Sequence, residues 1–138
     1  MGLEIEGERF DAIGNRFLLY APWKEAVRIS SRISEKEIKL QVEHYLKLAY
    51  EGAVLVSPAI SQGEKAVMRE ALDNNFPVIF ISARQFIVFS KTGTQFHSAC
   101  AAGMFLSISF PDHTDRSNIL TREKCLVLNG LASRIARI

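Results

Sequence analysis

The chain has 138 residues, of which 48% are hydrophobic and 23% charged; these values are typical of a single globular domain and exclude a disordered chain. The formal net charge of +2 excludes a general affinity for polyanions, so contact with nucleic acid would need a local basic patch. The cysteines, Cys100 and Cys125, indicate no disulfide framework and favour the cytoplasm. Neither a signal peptide nor an apolar run of about 18 residues is found, and we expect no membrane contact.

The amino-terminal segment, residues 1–24, is predicted to be an irregular lead-in. Within it, residues 13–16 (Ile-Gly-Asn-Arg) indicate a turn, and residues 17–20 form an apolar plug. Pro22 ends this segment, and the first strand is predicted to follow over residues 25–30.

A first helix is predicted over residues 34–51, where Ser34 and Glu37 have the spacing of a capping box. The apolar residues that share one face of this helix are Ile38, Val42, Tyr45 and Ala49. Gly52 ends the helix, and a nearly all-apolar strand follows over residues 53–57. Such a composition is typical of a strand that is covered on both faces.

The second helix is predicted to start at Ser61, which with Glu64 repeats the capping-box spacing. Its apolar face consists of Val67, Met68, Ala71 and Leu72. Residues 74–77 (Asn-Asn-Phe-Pro) end this helix, and the third strand is predicted over residues 78–82.

The remaining part of the chain is predicted to contain one more helix on either side of a fourth strand. Residues 86–89 have the composition of a short strand, and the Ala-rich residues 94–102 that of a short helix. The fourth strand is predicted over residues 105–110 and is followed by a polar loop over residues 111–118. The last helix begins near Thr121.

Strands that alternate with helices at this spacing predict an α/β fold. We expect a three-layer Rossmann-like domain over residues 25–138, with a mainly parallel sheet of at least four strands. Because parallel strands end at the same edge, the serine-ended turns at residues 27–32 and 53–61 would lie together there, and such an edge suits a phosphate. The residues expected to bind it are Ser31, Arg32, Ser57, Ser61, Gln62, Gly63, Arg84 and Lys124.

Several of these residues also have a purely structural interpretation. Arg32 either reaches the phosphate or is a surface residue that pairs with a neighbouring carboxylate. Ser61 is expected to cap a helix, which contributes about 1 kcal/mol to the stability of the protein. Either this is its only role, or the turn also presents the N–H groups of Gln62 and Gly63 to an anion. Glu64 is either an acid or base, or the second half of the capping box.

Other chemical groups give no further site. Lys65 and Arg84 either add positive charge near the strand ends or are solvated surface charges. His97 and Cys100 lie three residues apart, but two ligands do not make a zinc site, and Cys125 is no more than a hypothetical nucleophile. The sequence contains neither GxxxxGK nor GxGxxG, which argues against an ATPase or a dinucleotide dehydrogenase. We therefore predict no metal, no cofactor and no catalytic residue.

Four segments, taken in order, resemble the DNA-processing protein A (DprA/Smf) family over about residues 13–133. Ser31-Arg32 lies where the family has a Ser-Arg turn after its first strand, and residues 61–65 match the Ser-x-x-Glu-Lys of one branch. Residues 13–19 resemble the lead-in of some members. Residues 105–132 resemble the family's "LLSE-P … RNRIIAGLS" region.

The sequence also departs from the family pattern. Lys124-Cys125 stands in place of an Arg-Asn pair, which keeps the charge but loses the planar fork of arginine, and Pro58 replaces the glycine after Ser57. Residues 91–97 lack the Pro-Gly-Gly and the glutamate of the loop of a related nucleotide-hydrolysing class. The family continues into a further strand beyond the position of Ile138, so the exposed sheet edge is expected to favour pairing with a second copy as a homodimer.

The resemblance implies a protein without catalytic activity that binds single-stranded DNA in DNA uptake and recombination during natural transformation, with the recombinase RecA as a partner. A second hypothesis is a sensor or carrier that binds a nucleotide or a phosphorylated small molecule at the same edge. A third, a nucleotide-hydrolysing enzyme, is disfavoured because the carboxylate of the related class is missing.

Overall fold

The computed structural model describes residues 2–82, 102–110 and 121–138. In these ranges the strands are β1 (Gly2–Ile5), β2 (Glu8–Gly14), β3 (Lys24–Ala26), β4 (Val54–Ser57), β5 (Val78–Ser82) and β6 (Phe105–Ser109). The helices are α1 (Glu35–Tyr50), α2 (Gln62–Asp73) and α3 (Arg122–Ala136), with a 3-10 helix at Arg16–Tyr20. The predicted strand at residues 86–89, the helix at 94–102 and the loop at 111–118 lie outside the described residues, apart from Ala102.

The described strands form one mixed, mostly parallel sheet in the order β1-β2-β6-β5-β4-β3. The four strands from β3 to β6 are parallel neighbours, with Leu55 opposite Val78 and Val78 opposite Phe105. The prediction of an α/β fold with at least four strands is therefore confirmed, and the sheet has six strands in the described part of the chain.

A β-hairpin stands where the sequence predicted an irregular lead-in over residues 1–24. β1 and β2 pair antiparallel, and β2 pairs antiparallel with β6, so the lead-in extends the sheet by two strands. Glu6 and Gly7 form the turn with φ of 50° and 82°, as in the two-residue turns that fit the twist of a hairpin. Arg134 of α3 donates to Glu6 at 2.8 Å and to Glu8 at 3.4 Å, which fixes the hairpin to the last helix.

The predicted turn over residues 13–16 lies between β2 and the 3-10 helix. Gly14 has a φ of +110°, and a Cβ atom there would overlap the carbonyl oxygen of Phe105. Asn15 donates its backbone N–H to that same oxygen at 2.7 Å and its side-chain amide to Gly103 O at 2.9 Å. Its Oδ1 accepts from the N–H of Phe17 at 3.0 Å and caps the 3-10 helix. The turn thus anchors the amino-terminal segment to the start of β6.

The helix starts agree with their capping signals. Ser34, Ser61 and Thr121 are the N-caps of α1, α2 and α3, and each side chain accepts from the backbone N–H three residues later. Strand β5 has the predicted bounds, and β4 and β6 are one residue shorter than predicted. β3 ends at Ala26 rather than at residue 30, because the N–H of Ile29 binds the Glu64 carboxylate instead of a neighbouring strand.

Side chains that alternate along the parallel strands contribute to two separate hydrophobic cores. The α1/α2 core includes Val27, Ile29, Ala49, Leu55, Val67, Met68, Ala71, Leu72, Val78 and Phe105. The α3 core includes Leu3, Ile5, Phe10, Ala12, Leu19, Val54, Val56, Ile79, Ile81, Leu106, Ile108, Leu128, Leu131, Ala132 and Ile135. Both faces of the parallel strands are thus buried, as their apolar composition indicates. Among the helices that the structure describes, none is long and apolar enough to cross a membrane.

Candidate functional site

The carboxyl ends of β3 to β6 define one edge of the sheet, called here the carboxyl edge. β4, β5 and β6 end at Ser57, Ser82 and Ser109, and the chain after β3 continues to Ser30 and Ser31. Because the four strands are parallel, these serine-ended turns share one edge, as the sequence predicted.

Two loops meet at this edge, and one buried carboxylate joins them. They are the Arg32 loop (residues 27–33) and the Ser57 turn (residues 57–61). Glu64, only 4% exposed, accepts from the N–H of Ile29 through Oε2 at 3.0 Å. Its Oε1 accepts from the N–H groups of Ile60 at 3.0 Å and Ser61 at 3.2 Å. Three backbone donors thus stabilise a buried carboxylate, and hydrogen bonds to an ionised group are stronger than those between neutral groups.

This geometry explains Glu64 without any role as an acid or base. The capping box of α2 is complete, because Ser61 Oγ also accepts from the N–H of Glu64 at 3.2 Å. Both carboxylate oxygens have donors, and the bond to Ile29 spans 35 residues of the sequence. Glu64 therefore both caps α2 and clamps the Arg32 loop to the start of that helix.

Close packing also joins the Arg32 loop to α2. A Cβ atom on Gly63 would lie 2.5 Å from Cγ2 of Ile29 and 3.2 Å from its Cβ and Cδ1, so only glycine fits beside this side chain. Both residues are buried. The glycine in the first turn of α2 thus permits the close approach of the two segments.

The Ser57 turn has a strained conformation. Ser57 is fully buried, and its Oγ accepts from the N–H of Ala59 at 3.0 Å. Ala59 has a φ of +52°, in the left-handed region that residues other than glycine rarely adopt, at a cost of about 1–3 kcal/mol. Ser57 therefore holds the turn, and Pro58 leaves it with one N–H group fewer.

Ser31 and Arg32 are exposed at the tip of the Arg32 loop. The loop is ordered locally by the N–H of Arg32, which donates to Ser30 Oγ at 3.1 Å. Within the described residues, the guanidinium makes no ion pair and no hydrogen bond. Arg32 therefore does not pair with a carboxylate in the described part of the chain, and its side chain is available to a ligand.

Three further basic side chains lie on the elements next to Arg32, and sequence reasoning had singled out only Lys65 among them. Arg28 lies on the same loop, Lys36 in the first turn of α1 and Lys65 in the first turn of α2, and all three are exposed. A spacing of four residues from Arg28 through Arg32 to Lys36 is visible in the sequence, but it spans a loop and a helix start, so periodicity alone does not place these residues together.

Of the other predicted site residues, Gln62 and Gly63 belong to this junction, Lys124 belongs to α3, and Arg84 lies outside the described part of the chain. Gln62 is exposed and Gly63 buried in the first turn of α2. Lys124 lies in the first turn of α3, where its N–H donates to Thr121 Oγ1 at 3.2 Å, and α3 packs in the core on the other face of the sheet. Arg84 lies outside the described residues.

A row of polar side chains on β6 was not predicted as part of the site. Ser107 and Ser109 are fully buried, and within the described residues their Oγ atoms have no hydrogen-bond partner. Ser109 is in register with Ser82 of β5, and Ser107 with Phe80. The sequence signal for these buried hydroxyls was the presence of two serines among the apolar residues of 105–109. A buried hydroxyl without a partner costs about 1–3 kcal/mol, so serines in a strand that is predicted to be buried are candidates for a functional role.

A groove of about 610 Å³ lies beside the carboxyl edge. It is lined by the first turn of α1 and by Gln62, Lys65 and Arg69 of α2, and it reaches Met68 and Phe80. Its volume lies within the range of about 300–1,000 Å³ that is usual for small-molecule sites. No group of three or more His, Cys, Asp or Glu side chains in the described ranges could hold a metal ion.

Comparison with solved structures finds a fold similar to that of DNA processing protein A from Helicobacter pylori, a study of which concerns its single-stranded DNA binding mode. The TM-score is 0.68 at 19% sequence identity, and the match covers 99% of this chain. The resemblance to the DNA-processing protein A family that the motifs indicated is therefore confirmed at the level of the fold. The chain spans 60% of the length of that protein. No protein-family model and no curated protein matches the sequence.

Proposed function

We propose that this chain binds single-stranded DNA through the carboxyl edge, with the phosphate backbone of the strand at the Arg32 loop. The observation that carries the proposal is the exposed Arg32 guanidinium, which no described carboxylate neutralises, on a loop that Glu64 holds in place. The similarity in fold to a protein with a single-stranded DNA binding mode supports the same ligand class.

The wider role that we propose is that of a DNA-processing protein A-like protein in DNA uptake and recombination. In this proposal the chain is a three-layer Rossmann-like domain of the cytoplasm, RecA is its partner, and a second copy pairs with it as a homodimer. No catalysis is proposed, and the position of Glu64 supports this, because backbone donors occupy both oxygens of this buried carboxylate at the edge.

The test is fluorescence anisotropy with a labelled single-stranded oligonucleotide over a series of salt concentrations. The logarithm of the binding constant should fall with the logarithm of the salt concentration, by about 0.7 for each phosphate that the protein neutralises. Arg32→Ala should weaken binding about tenfold, which corresponds to about 1.4 kcal/mol, and should reduce that slope by about 0.7.

Arg137→Ala is the matched control. Arg137 is also exposed, but it follows α3 at the opposite edge of the sheet, where Lys24 at the start of β3 donates to Ile138 O at 2.9 Å. This variant should bind the oligonucleotide within about twofold of the wild type, because an exposed charge far from the ligand is screened. Absence of binding at low salt, or equal losses in the two variants, would contradict the proposal.

The second candidate function is the binding of a nucleotide or another phosphorylated small molecule. The groove of about 610 Å³ beside Gln62 and Lys65 favours it, because its volume suits such a ligand. Thermal stabilisation by one member of a nucleotide panel, with little dependence on salt, would support this candidate over DNA. A panel without any stabilising ligand would exclude it.

A further inference from the structure

The amino terminus of α2 already contains an anion that belongs to the chain itself. The carboxylate of Glu64 accepts from the N–H groups of Ile60 and Ser61, which directly precede the helix. The first turn of a helix attracts negative charge because its N–H groups are unpaired and its dipole is positive there. Glu64 therefore places a negative charge beside the first turn of α2, and this charge repels a second anion.

The side chain of Ile29 closes the same helix terminus from another direction. Its Cγ2 lies 2.5 Å from the position that a Cβ of Gly63 would have, and Gly63 itself is buried. An apolar side chain over the first turn hinders the approach of a hydrated phosphate. The charge of Glu64 and the packing of Ile29 act together, because the N–H of Ile29 donates to Glu64, and both oppose the binding of phosphate at this terminus.

The Arg32 loop has the opposite character. Arg28, Ser31 and Arg32 are exposed, and the loop is held by the bond from the N–H of Ile29 to Glu64. The two oxygens of one carboxylate thus bind the loop and the helix terminus at the same time. The exposed cations of the loop thus lie on a segment that is joined to a helix terminus with its own negative charge.

We propose that Glu64 is a positioning and selectivity residue of the phosphate site, which fixes the Arg32 loop and directs phosphate groups to Ser31 and Arg32 by placing a negative charge at the terminus of α2. This inference rests on the proposed function in so far as the phosphate belongs to DNA. According to this inference, phosphate does not bind the N–H groups of Gln62 and Gly63, which the sequence had suggested as donors to an anion.

The test is an amide chemical-shift titration of the full chain with inorganic phosphate, which probes the site without DNA. In the wild type, phosphate should shift the amide signals of Ser31 and Arg32 and leave those of Gln62 and Gly63 unchanged. In Glu64→Gln, which removes the charge and places an amide N–H group against that of Ile29, phosphate should also shift the signals of Gln62 and Gly63.

Two further variants separate charge from clamping. Glu64→Asp keeps the charge but shortens the side chain, so the Ile29 amide should exchange with solvent at least about tenfold faster while phosphate still leaves Gln62 and Gly63 unshifted. Glu70→Gln removes one exposed charge of α2 and should reproduce the wild-type pattern, because Glu70 is not part of the clamp.

The wild-type titration alone can refute the inference, even if a variant does not fold. Shifts at Gln62 and Gly63 that match those at Arg32 would show that the helix terminus is open to phosphate. A wild-type pattern in Glu64→Gln would equally overturn it. Failure of the oligonucleotide to bind would refute the proposed function. The role of Glu64 would still be tested separately, by the amide shifts that inorganic phosphate causes.

Discussion

The substitution Gly63→Ala tests whether the close packing of α2 against the Arg32 loop has a measurable free energy. The new methyl carbon would lie 2.5 Å from Ile29 Cγ2 and 3.2 Å from its Cβ and Cδ1. Carbon atoms prefer a separation of about 3.5–4.0 Å, so the loop and the helix must separate by about 1 Å at the closest pair. Such overpacking in a well-packed site costs about 1–3 kcal/mol.

The same substitution also has a favourable component, since alanine is the better helix former by at most about 1 kcal/mol. The expected net result is a loss of about 1–2 kcal/mol in the free energy of unfolding, from the two opposing contributions. Binding should weaken too, because Ile29 is the residue through which Glu64 holds the loop. The assay is urea unfolding, with a lower midpoint and an unchanged slope.

Gly130→Ala is the matched control, because Gly130 is an exposed residue within α3 and a Cβ there would meet nothing within 4 Å. This variant should gain about 0.5–1 kcal/mol, as expected for glycine to alanine in a helix interior. Combining Gly63→Ala with Ile29→Ala should give a favourable coupling of at least about 1 kcal/mol, since the 2.5 Å contact with Cγ2 is then absent and only the 3.2 Å contact with Cβ remains. A Gly63→Ala variant as stable as the wild type, or strict additivity with Ile29→Ala, would refute the reasoning.

Two further substitutions test the anchors at either end of the sheet. In urea unfolding, Gly14→Ala should lower the free energy of unfolding by more than about 3 kcal/mol, because a Cβ would overlap the Phe105 carbonyl oxygen. Gly7→Ala is the control, since Gly7 also has a positive φ but has open space around it, and this variant should lose only about 1 kcal/mol. Burial lowers the pKa of Lys24 from 10.5, so between this lowered pKa and 10.5 the unfolded chain binds more protons and the free energy of unfolding should rise with pH. Lys24→Met should lack this rise in urea unfolding at a series of pH values, and an identical pH dependence in both proteins would contradict it.

The helices and the parallel strands could be predicted from the sequence because their signals are local. The helix caps depend only on residues close by in the chain, and the structure has them at Ser34 and Ser61 as predicted. The same is true of the apolar run that forms β4. The hairpin was missed for the opposite reason. Leu3 and Ile5 alternate with acidic residues over only four positions, and their burial depends on pairing with β2 and on the α3 core.

The end of β3 shows where tertiary contacts override a local signal. Residues 27–30 continue the apolar alternation of a strand, and the N–H of Val27 still pairs with Val56 O at 2.8 Å. The next inward-facing residue, Ile29, instead donates its N–H to Glu64, which is 35 residues distant in the sequence. No property of the local sequence indicates this bond, so the strand was predicted too long and the origin of the loop was missed.

Glutamate at position 64 has two roles, which are to cap α2 and to join the Arg32 loop to the Ser57 turn. A capping box needs one side-chain oxygen at its third helical position to accept from the N-cap N–H, and glutamine satisfies this as well as glutamate. Here Oε1 serves the cap through Ser61 and Ile60, while Oε2 accepts from Ile29. An amide has only one acceptor oxygen, so it can cap the helix or hold the loop but not both. The second oxygen of Glu64 is therefore what makes a local helix cap into an element of the candidate site.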